Sequence, residues 1–137
     1  MRGRAAFLDS NVLLRHLTQD HDDFSPRATA ILARIEDGGL QARLADTVVF
    51  EVVFTLQRAY RLPKAAIRDA LLPLIDLPGL LLTKKERIRR ALDLYVEANI
   101  SYGDAYHAVL MQDEGIAEVI SFDRLFDRVP WLRRIES

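Results

Sequence analysis

Apolar residues along the chain alternate between short unbroken runs and spaced positions that repeat every three or four residues. Ala5-Ala6-Phe7-Leu8 is a run that stops abruptly at Asp9 and predicts a buried strand. From Asn11 to Gln19 the apolar side chains Val12, Leu13, Leu14 and Leu17 have helical spacing. Ser25-Pro26 predicts a helix start, with serine as N-cap and proline at the first helical position. Ala28, Ile31, Leu32 and Ile35 continue that helix, and Gly38-Gly39 stops it. Gln41 to Ala45 predicts a short strand. Asp46-Thr47 caps a helix reaching about Tyr60, apolar almost all round in its first half and therefore central.

Pro63 opens a further helix through Ile67, Leu71, Leu72 and Leu74, closed by Asp76-Leu77-Pro78-Gly79. Leu80-Leu81-Leu82 is a strand candidate, and Lys84 to Ala98 repeats helical spacing at Ile88, Ala91, Leu92, Tyr95 and Val96. Asp104 to Glu114 predicts a helix with Gly115 as its stop, and Val119-Ile120-Ser121 a strand ending at Asp123. Strands alternating with amphipathic helices imply an α/β fold, a mostly parallel sheet flanked by helices on both faces. No repeat, low-complexity tract or linker interrupts the pattern, so residues 1–137 read as a single domain.

Composition narrows the classes. The chain has 137 residues, 50 % hydrophobic, 28 % charged and without cysteine, enough for a core without staples and incapable of disulfides or thiolate metal sites. No apolar run exceeds the length of Ala5–Leu8, which excludes a membrane-spanning helix and a secretory leader. A cytoplasmic location is the expectation. The net charge of −1 means that overall charge does not hold the chain to nucleic acid, so any such binding needs a local patch. Arginines outnumber lysines sixteen to three, which suits phosphate contacts but equally fits a GC-rich genome.

In open α/β sheets the functional crevice lies beyond the carboxyl ends of the strands. Asp9 directly follows one predicted strand and Asp123 lies two residues past another, so both belong at one rim if the strands are parallel. Asp104 sits in the first turn of a predicted helix. Each has a plain alternative, helix capping for Asp9 and Asp104 and loop solvation for Asp123. Glu51 lies inside Val48-Val49-Phe50-Glu51-Val52-Val53-Phe54, a stretch expected to be buried. A carboxylate there must meet an arginine, take up a proton or face a polar crevice. Two carboxylates about 4 Å apart repel by roughly 4 kcal/mol at an effective dielectric near 20. A hard divalent ion with oxygen ligands removes that cost.

Phe7-Leu8-Asp9-Ser10-Asn11-Val12-Leu13-Leu14 resembles the opening of PIN-domain nucleases. The resemblance continues through Val49-Phe50-Glu51-Val52-Val53 and Ser101-Tyr102-Gly103-Asp104-Ala105-Tyr106-His107-Ala108, and closes with Val119-Ile120-Ser121-Phe122-Asp123-Arg124-Leu125-Phe126. It covers nearly the whole chain in order, and only the Met1–Arg4 extension is unusual. The small size is most similar to the toxin members of VapBC toxin–antitoxin modules. The resemblance implies a compact α/β/α fold and Mg²⁺- or Mn²⁺-dependent ribonuclease activity. It maps four acids onto Asp9, Glu51, Asp104 and Asp123, the first, third and fourth as metal ligands and Glu51 as a ligand or a water orienter. Asn11 and Ser121 match the supporting polar positions. It further implies an RNA substrate, a cognate antitoxin with a basic side chain entering the acidic pocket, and a homodimer. The alternatives within the family are an RNA-processing nuclease without antitoxin and a catalytically silent RNA- or protein-binding domain.

Other features read first as structure. His107, three residues after Asp104, reads as a packed or capping histidine, with an approach to the site as the alternative, and Asp127 as a solvated acid, with peripheral membership of the site as the alternative. His16 and His21 have no metal-ligand spacing. Tyr102 and Tyr106 flank Asp104 and read as core, with base stacking as the alternative. Lys84-Lys85-Glu86-Arg87-Ile88-Arg89-Arg90 reads as a solvated helix face, yet is also the best candidate for tracking phosphates, with Arg133-Arg134 second. A phosphatase of haloacid-dehalogenase type would want an acid where Asn11 stands, and a receiver domain a late strand lysine where none follows Lys85.

Overall fold

The computed structural model describes residues 5–136, so the Met1–Arg4 extension lies outside the described residues. The described chain divides between Thr83 and Lys84 into two compact units. In the first, β1 (Ala6–Phe7), β2 (Ala42–Arg43) and β3 (Leu80–Leu81) form a parallel sheet in the order β1-β2-β3. Four helices accompany it: α1 (Ser10–Thr18), α2 (Phe24–Glu36), α3 (Asp46–Arg58) and α4 (Lys64–Ile75). The second unit holds α5 (Lys85–Glu97), α6 (Tyr102–Asp113), β4 (Glu118–Ile120), a 3-10 turn (Arg124–Arg128) and β5 (Arg133–Ile135). β4 and β5 pair in parallel as a sheet of their own. The α/β class with parallel strands is thus as the pattern predicts, but the strands fall into two sheets rather than one.

The first unit is built on α3. Val48, Val49, Val52, Val53 and Leu56 are buried, which bears out the central role of this helix. α1 packs on both α2 and α3, and α4 packs on α3. β1 departs from the sequence expectation. It is shorter than Ala5–Leu8, and Phe7 is 63 % exposed while only Leu8 of the run is buried. It stands at one end of the β1-β2-β3 order and pairs with β2.

Gly79 carries the entry to β3. A Cβ there would stand 2.4 Å from the Leu40 carbonyl and 2.6 Å from that of Ile35. The backbone uses that closeness, with the Gly79 N–H donating to the Ile35 carbonyl at 2.9 Å and the Ala42 N–H to the Gly79 carbonyl at 2.9 Å. The predicted stops at Gly38 and Gly115 both adopt positive φ, which a side chain would oppose.

Helix starts shift by a residue or two. α2 begins at Phe24 rather than after Ser25, because His21 reaches forward: its Nδ1 accepts from the N–H groups of Phe24 (2.9 Å) and Asp23 (3.2 Å). Ser25 is buried and accepts the His21 N–H at 3.2 Å. In the second unit α5 and α6 pack face to face through Ile88, Ala91, Leu92, Tyr95, Ala105 and Val109. Burial pushes the Tyr95 hydroxyl up to about 12. No helix among the described residues is long and apolar enough to cross a membrane.

Candidate functional site

Two of the four acids lie in the first unit. Asp9 follows β1 at its carboxyl end and occupies the N-cap position of α1, with extended backbone at φ −85° and ψ 153°. Its side chain makes no capping hydrogen bond, and it is exposed. The capping alternative therefore describes its backbone but not its carboxylate. Asn11, in the first turn of α1, is also exposed and borders a hollow of about 270 Å³ lined by Arg15, Phe24 and Arg27. Both arginines are committed to nearby acids, Arg15 to Asp20 at 3.3 Å and Arg27 to Asp23 at 3.1 Å.

Glu51 overturns the expectation of burial. On α3 the buried positions are 48, 49, 52, 53 and 56, and Glu51 falls on the opposite stripe with Thr47, Phe54 and Arg58, all exposed. The stripe was hard to see because Phe54 breaks its polarity; the Arg58 guanidinium covers that ring at 5.3 Å from its centre. Exposed on that stripe, Glu51 is not the buried carboxylate that the apolar run suggests.

The other two acids lie in the second unit. α6 starts at Tyr102, two residues before the predicted start, and its N-cap is Ser101. The Ser101 hydroxyl accepts the Asp104 N–H at 3.0 Å, so serine performs the capping for which Asp104 was a candidate. The Asp104 carboxylate is left out of the cap, half-buried in the first turn, where the helix N-terminus favours negative charge. Asp123 follows β4 and, unlike the other acids, does cap: its Oδ1 accepts the Leu125 N–H at 2.9 Å at the head of the 3-10 turn. That leaves its second oxygen. Ser121 holds this turn by accepting the Asp123 N–H on its hydroxyl at 2.9 Å.

Asp127 is an ion-pair partner rather than a merely solvated acid. Arg134 binds it through Nε at 3.0 Å and Nη2 at 3.3 Å, and this hydrogen bonding holds the Asp127 carboxyl below its ordinary value. Arg134 is accordingly no free phosphate contact, and Arg133 is paired with Glu118. The Lys84–Arg90 run is also largely committed. Arg87 and Arg90 share the Asp113 carboxylate at 2.9 and 2.5 Å, and Arg89 meets Glu86 at 3.1 Å. Tyr102 and Tyr106 are buried, as core packing requires. His107 is exposed, edge-on to Tyr106, in place of the packed or capping role expected.

Among the described residues no three His, Cys, Asp or Glu side chains stand together as a ready metal-binding group. The donor chemistry nonetheless suits a hard divalent cation. Asp9, Glu51 and Asp104 offer carboxylates not spent on helix capping, and Asp123 offers one oxygen.

The PIN-domain family model matches residues 6–132, which takes in β1 through the 3-10 turn and all four acids. The chain belongs to the PIN-domain family. No curated protein sequence matches it. Family membership makes this a nuclease fold of a kind that generally employs divalent metal ions. In this PIN domain Asp9 and Glu51 belong to the first unit, and Asp104 and Asp123 to the second.

Proposed function

We propose that this PIN domain is a ribonuclease that hydrolyses RNA phosphodiester bonds with Mg²⁺ or Mn²⁺, and that it serves as the toxin of a type II toxin–antitoxin module. The observation that carries the reading is the state of Asp104. A carboxylate placed at a helix start, with a serine doing the capping, is left available for chemistry. Asp9 supports it in the same way, at an N-cap position it does not use.

Asp9, Asp104 and Asp123 would hold the cation, directly or through water, and Glu51 would bind it or orient the attacking water. A carboxylate-held cation supplies an activated water and offsets charge on the phosphate and the leaving oxygen. The residues do the rest. Ser101 and Ser121 fix the backbone at Asp104 and Asp123, and exposed Asn11, two residues after Asp9, would help to orient the site. Single-stranded or loop RNA is the substrate class, because its unstacked strand exposes the backbone. The surplus of uncommitted carboxylates fits an antitoxin segment that brings a basic side chain, and the toxin reading carries with it a homodimer in the cytoplasm.

The test is cleavage of structured RNAs by the purified chain in EDTA, Mg²⁺ and Mn²⁺, beside Asp9→Asn. Metal-dependent cleavage lost in the variant is the expected result; cleavage in excess EDTA, or full activity of Asp9→Asn, overturns it. Expression alone and with the chromosomal neighbour tests the module. Growth arrest relieved by a co-purifying small protein is expected. Equal growth without such a partner returns the chain to RNA processing.

A further inference from the structure

Arg134 lies on β5, on a side chain only 12 % exposed, and its guanidinium has partners on both sides of Asp123 in the sequence. Upstream, Nη1 donates to the Ser121 carbonyl at 3.3 Å. Downstream, Nε and Nη2 donate as a fork to the two Asp127 oxygens at 3.0 and 3.3 Å. Nη1 also meets the Glu136 carboxylate. The backbone adds a further tie on the same strand pair, where the Ser121 N–H donates to the Ile135 carbonyl at 3.0 Å.

We propose that Arg134 is a positioning residue for Asp123, holding the chain at Ser121 before it and at Asp127 after it so that the intervening carboxylate has one orientation. The proposal rests on the reading of Asp123 as a metal ligand. Its physical basis is the planar fork. A guanidinium donates two parallel bonds to one carboxylate while a third N–H reaches a carbonyl, whereas an ammonium on a flexible stem cannot hold both ends at fixed spacing. Asp123 itself caps the turn with one oxygen, so a shift of Ser121 relative to Asp127 would rotate the oxygen that remains.

Arg134→Lys retains the charge and removes the fork. Amide hydrogen exchange at Asp123 and Leu125 is expected to accelerate about tenfold, with α6 amides unchanged. In RNA cleavage kcat is expected to fall about 10- to 100-fold with KM unchanged, the signature of a misplaced group rather than of weaker substrate binding. Asp127→Asn, at an exposed partner, should show the same local pattern more weakly. Unchanged exchange at Asp123 and Leu125, acceleration that spreads through α6, or local acceleration with wild-type kcat would each overturn the proposal. Wild-type protein without metal-dependent cleavage would refute the ribonuclease reading instead, and the exchange pattern would still decide whether Arg134 fixes the Asp123 segment.

Discussion

The Ser101 hydroxyl accepts the Asp104 backbone N–H at 3.0 Å, so the start of α6 is secured by one residue and its charge is supplied by another. Stability and chemistry are thereby separable at this helix end. Ser101→Ala should cost about 1–2 kcal/mol through loss of the cap. Asp104→Asn keeps the backbone bond and should cost about 0.3–1 kcal/mol, the value of a charge near a helix N-terminus. RNA cleavage should rank the other way, abolished in Asp104→Asn and retained in part in Ser101→Ala. Thermal melts and a cleavage assay on the same preparations read both orders.

Glu51 offers a second separation on a single helix. Glu51→Gln changes an exposed side chain and should leave stability within about 0.5 kcal/mol while removing cleavage. Leu56→Ala, at a residue of 0 % exposure on the opposite face, should cost about 2–5 kcal/mol. Denaturant unfolding of the two variants measures the contrast.

Metal should reveal itself in stability as well as in activity. At a Mn²⁺ concentration 100 times Kd the wild type gains about 2.7 kcal/mol, and Asp104→Asn should gain less. Melts of both proteins in EDTA and across a Mn²⁺ titration check this. Indifference of both to Mn²⁺ would remove Asp104 from the ligand set.

Asp20 gives a prediction on the acid side. Its carboxylate accepts from the Tyr60 hydroxyl at 2.6 Å and the Thr18 hydroxyl at 2.8 Å, with Arg15 adding less, and these bonds lower its pKa to about 2. A folded-state value depressed below the unfolded one means that the stabilisation is complete above the ordinary carboxylate range and fades as the pH falls toward 2. Tyr60→Phe removes the largest of these contributions, so the Asp20 midpoint should rise. NMR titration of the Asp20 carboxyl carbon reads the shift directly.

Much of the fold was legible because helical spacing and stop signals agree, as in α2 with its Gly38 stop and α4 opening after Pro63. Three things were not. The His21 ring caps α2 from outside the helix, and no pattern of apolar positions records that. The exposure of Glu51 was written in the positions 47, 51, 54 and 58, but Phe54 disguised the stripe as part of an apolar run. β5, with the sequence Arg133-Arg134-Ile135, carries no apolar alternation, since its central arginine is fixed by carboxylates rather than by packing. At the site, the positions of the four acids relative to strand and helix ends could be read from sequence. Which carboxylates are spent on caps could not, because that depends on which neighbouring hydroxyl reaches the N–H first.

Gly79 sets more than a close contact. Parallel strands have no tight turn between them to count residues, and a slip of one position on β2 would exchange buried Leu80, at 2 %, with Leu81, at 40 %. By giving its N–H to the last turn of α2 and its carbonyl to Ala42, Gly79 indexes β3 from a helix terminus. Alignment of the third strand is therefore inherited from the length of α2, and inserting a single residue near the end of that helix should disturb a strand more than forty positions away.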